Sequence, residues 1–193
     1  MKTVIPNFFS LLIITAACGL TGLCYGQNTQ ADPGVSNGNS EEKNMPCANH
    51  NAHQFDFWVG NWEVKDGGGN LVGHNRVERI LGGCAISENW QSSSDNRGVS
   101  YNFYDALTNS WHQTWVDDSG GSLFLDGGLH NGVMVLAGQR PGKEGGLIEH
   151  EISWTLLDDG RVKQHWRASR DGGKSWNDAF VGFYSRVEKV ANR

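Results

Sequence analysis

Past residue 60 the chain has no apolar pattern recurring every 3.6 residues, and that absence argues against a helical bundle. Its longest early apolar run, residues 8–14, is broken soon after by Cys18, Gly19 and Gly22. A bilayer span needs roughly 20 apolar residues, so a retained transmembrane anchor is not expected. Basic runs and RNA-type aromatic motifs are lacking, and the net charge is −5. Nucleic acid is therefore not the expected partner. No "GxGxxG" stretch occurs, so a dinucleotide-type phosphate cradle gains no support. Cysteines number four, two of them inside the first 26 residues.

What is present begins with an export signal. Lys2 gives the positive start, residues 8–14 the apolar segment, and "CYG" ahead of Gln27 a small-residue cleavage site. Residues 1–26 are read as a signal peptide, which places the mature chain in the periplasm or outside the cell. Removing Lys2, with no carboxylate in the signal, takes −5 to −6. "TAAC" at residues 15–18 also loosely resembles a lipoprotein cleavage site, with Cys18 bearing a lipid anchor, although apolar residues continue where a polar tether belongs. Residues 27–46 hold few large apolar side chains and many Asn, Gly, Ser and Glu, and read as a flexible leader. One domain remains, residues 47–193. Its two cysteines, Cys47 and Cys84, form an even pair in an oxidising compartment, which favours a disulfide.

Short β-rich runs separated by Gly, Asp and Asn recur about every ten residues through this domain. Strands are expected near 60–66, 71–80, 84–92, 98–105, 110–117, 121–127, 132–138, 147–157, 161–169 and 179–188. Turn signals such as "DGGGN", "DALTN", "LHNG" and "DDG" lie between them. The fold class is all-β. About ten sequential strands with short links give a single antiparallel up-and-down β-barrel, since closure leaves no free edge. "HNAHQFDFW" supplies a short helical segment before the first strand. "SRDGGKSW" matches an Asp-box hairpin brace and serves here as a turn signal only.

Three strands spell a polar residue two places before a tryptophan: Glu88 and Trp90, Gln113 and Trp115, Gln164 and Trp166. Residues two apart on a strand share a face. In "ISWTLLDDGRVKQHW", a three-residue loop with Gly160 left-handed pairs Trp154 with Gln164 and Ile152 with Trp166. That register turns Gln164 and Trp166 inward and leaves Lys163, His165 and Arg167 to water. The same parity points Gln113, Trp115, Glu88 and Trp90 into the barrel. Two readings follow. One is a ligand pocket lined by Glu88, Trp90, Gln113, Trp115, Trp154, Gln164 and Trp166. The other is a dry core whose polar groups bond to one another and to the backbone.

An inward Glu88 would have its pKa raised by desolvation unless a cation or amide donors met it, which makes it a candidate general acid or base. His150, on the strand of Ile152 and Trp154, is its candidate helper. His150 is also the one histidine placed to ligate a haem, although no cofactor is expected. His50 and His53 lack accompanying ligands and read as surface residues, so no metal site is expected.

"FDFWVGNWEV" carries a Gly60-x-Trp62 pair that resembles the entry motif of lipocalins and their calycin relatives. That resemblance implies a lipocalin-like barrel in which Trp62 lies across the closed end and stacks on an arginine from a late strand, for which Arg186 is the candidate. "FDFWVGNW", "GGCAISENW", "YNFYD", "WHQTWVD", "GVMVLAG" and "DGGKSW" together resemble a widespread family of secreted bacterial domains of unknown function, over roughly residues 47–188. No established reaction is implied. The expectation is an exported barrel that binds a small, partly aromatic or amphipathic molecule. The alternatives are an isomerase- or hydrolase-type enzyme using Glu88, and a structural or interaction domain with a filled core.

Overall fold

Alternating side-chain direction along ten short strands builds this chain's architecture. The computed structural model describes residues 47–187; the expected signal peptide and leader, and Cys18, lie outside them. The strands are β1 Gly60–Lys65, β2 Leu71–Ile80, β3 Ala85–Ser92, β4 Arg97–Asp105, β5 Ser110–Asp117, β6 Ser122–His130, β7 Val133–Pro141, β8 Leu147–Leu156, β9 Val162–Ser169 and β10 Asn177–Arg186. Each pairs antiparallel with the next, and β1 pairs β10 with Trp62 opposite Arg186. The result is a closed ten-stranded up-and-down barrel, as the spacing of runs and turns predicts.

Turn chemistry sets the registers. Gly160 adopts φ 81°, Leu157 N–H donates to Arg161 O at 2.8 Å, and Trp154 faces Gln164 while Ile152 faces Trp166. Asn131 and Gly132, both at positive φ, form the two-residue link that joins β6 to β7. Strand β6 runs three residues beyond its expected end. Gly127 and Gly128, at and just past that expected end, lie inside the strand. A methyl on Gly127 would fall 2.1 Å from Val135 O, so glycine there admits a close backbone approach.

A plug closes one end. Two 3₁₀ turns, His50–His53 and Asp56–Trp58, precede β1. They bury Phe55 and Trp58 completely. Phe55 stacks on Trp58 at 4.8 Å and meets Trp111 and Trp154 edge-on at 5.7 and 5.1 Å. Trp62 Nε1 donates to Trp58 O at 2.9 Å, and the Arg186 guanidinium lies 4.4 Å from the Trp62 ring while donating to Val59 O. Arg79 on β2 donates to Ala52 O, Gly83 O and Asp56 Oδ1. The Cys47–Cys84 disulfide joins the start of the plug segment to the head of β3. No helix among the described residues is long and apolar enough to cross a membrane.

Candidate functional site

The plug leaves the other half of the barrel interior open. A cavity of about 460 Å³ occupies it, within the range of small-molecule sites. Its mouth is formed by the β3–β4 link, the end of β5 and the start of β10, through Ser94, Asn96, Asp117 and Ala179. A larger depression of about 720 Å³ runs over the wall near β2–β5, past Arg76, Asn89 and Val99, and is more open to solvent. The interior cavity is the better site because it is more enclosed and collects inward-facing side chains from most of the sheet.

Aromatic rings form its walls. Trp90, Trp115, Trp166 and Phe180 all line it. Two of the indoles pack directly against glycines of neighbouring strands: a methyl on Gly73 would fall 2.6 Å from the Trp90 ring, and one on Gly98 would fall 2.1 Å from Trp115. Trp90 and Phe180 meet edge-on at 6.0 Å. Trp166 Nε1 donates to His150 Nδ1 at 3.0 Å, and Trp115 Nε1 donates to Asp117 Oδ2 at 3.3 Å. Those two indole N–H groups are occupied by partners in the wall, which leaves the rings to act as surfaces.

A polar cluster forms the inner wall. Glu88 is 5% exposed. Its Oε1 accepts from Asn75 Nδ2 at 2.8 Å and its Oε2 from Ser100 Oγ at 2.7 Å. Ser100 Oγ in turn accepts from Asn102 Nδ2 at 2.9 Å, and Asn102 Oδ1 accepts from Gln113 Nε2 at 2.7 Å. Every donor in this chain points toward Glu88, from β5 through β4 to β3. The carboxyl is the terminal acceptor of a network drawn from four strands. Even so, burial outweighs the Ser100 and Asn75 hydrogen bonds and lifts the Glu88 pKa from 4.5 to about 7. Across the cavity the Tyr184 hydroxyl donates to Gln164 Oε1. Burial, then the charge on Glu88, push the phenol well above its ordinary value, so it stays a neutral donor.

Six of the seven residues expected to line a pocket do so: Glu88, Trp90, Gln113, Trp115, Gln164 and Trp166. Trp154 does not. It faces inward but lies deeper, against Phe55 and Trp58 of the plug. Glu88, Gln113 and Gln164 do not bond one another directly; their partners are Asn75 and Ser100, Asn102, and Tyr184. His150 is buried but is absent from the cavity lining. Burial first, then Arg140 and Arg170, hold its pKa below the ordinary value. With its Nδ1 accepting from Trp166, the proton of the neutral ring sits on Nε2, which offers neither a helper to Glu88 nor an axial lone pair to a haem. No cluster of three or more His, Cys, Asp or Glu suited to a metal occurs among the described residues.

Sequence reasoning missed Asn75, Ser100, Asn102, Phe180 and Tyr184. On β4 the alternation misleads, because Val99, Tyr101 and Phe103 point outward while Ser100 and Asn102 point in; Tyr101 is 55% exposed and Asn102 0%. The pairing of Glu88 with Ser100 and of Asn102 with Gln113 is the signal that finds them, since paired residues share a face. No protein-family model matches this sequence, and a search of curated proteins returns no significant match.

Proposed function

We propose that this chain is an exported small-molecule-binding barrel, secreted or periplasmic, whose ligand is partly aromatic or amphipathic. The observation that carries this reading is the cavity of about 460 Å³, walled by Trp90, Trp115, Trp166 and Phe180 and backed by Glu88, Gln113 and Gln164. Apolar walls with a few convergent polar groups are the usual make-up of such a site. A filled structural core would have no use for rings held open against Gly73 and Gly98. The Cys47–Cys84 disulfide is compatible with export. The resemblance to lipocalin-like domains and to secreted bacterial domains of unknown function agrees with the same role.

Native mass spectrometry of the protein purified from its own host tests the proposal. A retained molecule of defined mass, displaced with a change in tryptophan fluorescence, supports it. A bare chain that shows no saturable quenching by any aromatic or amphipathic compound overturns it in favour of a structural domain. One observation favours a second reading, an enzyme: Glu88 titrates near neutral pH, where a general acid or base works best. In that case Glu88→Gln abolishes turnover while binding of an uncharged ligand persists.

A further inference from the structure

The cavity is one-sided in charge. Its lining includes two carboxyl groups, Glu88 on the inner wall and Asp117 at the mouth, and no lysine, arginine or histidine. We propose that the ligand is an organic cation, a protonated amine with a hydrophobic body, whose ammonium is received by Glu88 while its body lies among Trp90, Trp115, Trp166 and Phe180. This inference rests on the binding-barrel reading and specifies the ligand's chemistry.

Three observations on the site converge. The first is the direction of the hydrogen bonds. Gln113, Asn102 and Ser100 pass donors in sequence toward Glu88, and Asn75 adds another from β2. Donors converging on both oxygens suit an ionised carboxylate, yet no cationic side chain lines the cavity to offset the burial of that charge. A buried carboxylate without a cation is costly, and an incoming ammonium would supply the missing charge. The second observation is an orphan acceptor. Asn75 is 2% exposed, and its Oδ1 has no donor among the described residues although its Nδ2 bonds Glu88. Asn75 does not line the cavity, so this acceptor records a shortage of donors around Glu88 that an ammonium, with three N–H groups, would relieve at Glu88 itself. The third is the rings. Electron-rich ring faces attract cations, tryptophan most strongly, and the indole N–H groups of Trp115 and Trp166, which would favour an anion, are already bonded to Asp117 and His150.

The groups that face Glu88 make its protonation the controlling variable. Asn75 from β2 and Ser100 from β4 are neutral, as are Gln113 from β5 and Gln164 from β9, and Tyr184 from β10 stays protonated. Asp117 at the mouth is held below the ordinary carboxylate range, first by Ser119, and remains ionised. A cation therefore competes with one proton, the proton on Glu88.

The test is a charge series on one hydrocarbon frame: 2-phenylethylamine, 2-phenylethanol and 3-phenylpropanoate, titrated into the full mature chain and followed by tryptophan quenching and calorimetry. The amine should bind at least tenfold tighter than the alcohol at pH 8, and the acid should bind weakest. Lowering the pH to 5.5 should weaken the amine about thirtyfold, the ratio expected when binding needs a carboxylate titrating near 7, and should leave the alcohol unchanged. Glu88→Gln should erase the preference for the amine. Equal or tighter binding of the alcohol or the acid at pH 8 overturns the cation proposal while leaving a small-molecule barrel in place. Saturation by none of the three overturns it as well, and counts against the binding reading itself. The wild-type series alone decides the matter should the variant fold poorly.

Discussion

Replacing Glu88 with glutamine measures what it costs to hold a carboxyl inside the barrel. Burial raises the Glu88 pKa from 4.5 to about 7. The folded chain therefore binds this proton more tightly than the unfolded chain does. The sign follows directly: the contribution of Glu88 to stability is complete below pH 4.5 and is lost as the pH rises through 7. Each tenfold change in proton affinity is about 1.4 kcal/mol, so the full loss is about 3 kcal/mol. Glutamine does not titrate, and the unpartnered Oδ1 of Asn75 can accept from its new amide once the Asn75 side chain turns over. His150 works in the opposite sense. Its pKa is lowered by burial, then by Arg140 and Arg170, so its contribution falls away in acid. It is common to both proteins and cancels in their difference. Urea unfolding from pH 5 to 8.5, followed by tryptophan fluorescence, should show the variant gaining on the wild type by about 2.5 kcal/mol across that range. A difference that does not vary with pH would refute the reasoning, because it would mean that Glu88 titrates alike in both states.

Two further perturbations probe the frame around the site. Reducing the Cys47–Cys84 bridge, which links positions 37 residues apart, should cost about 4 kcal/mol by the loop-entropy relation; urea midpoints with and without reductant check it, and unchanged midpoints would show that the bridge adds nothing to stability. Gly98→Ala should cost about 1–3 kcal/mol and shift the tryptophan emission, since the added methyl would fall 2.1 Å from the Trp115 ring. Gly128→Ala, where a methyl meets nothing within 4 Å, is the control expected to change neither.

The ten strands were legible because their turns are chemically explicit: "DDG" fixed the β8–β9 register through a left-handed Gly160. Parity then placed Glu88, Gln113 and Gln164 on the inner face. Two kinds of information were out of reach. Parity says which side of the wall a side chain takes and nothing of its depth along the barrel axis, so Trp154 shares the inner face with Gln164 yet lies among the plug rings. Alternation also has no sign of its own. On β4 the apolar set Val99, Tyr101 and Phe103 looks like a core face, but these residues stand outside, on the wall that also carries Val116 and Phe124. Ser100 and Asn102 take the inside because Glu88 and Gln113 need partners there. Only a network spanning several strands decides that sign, and no single segment contains it.

The stapled base of the barrel, with Phe55 and Trp58 wedged in it and Arg79 clasping the plug from β2, makes the molecule a cup instead of a pipe. Whatever goes in must come out through the same doorway. For the proposed ligand, residence time would then be set at the mouth formed by Ser94, Asn96, Asp117 and Ala179, and traffic from one side of the barrel to the other has no route.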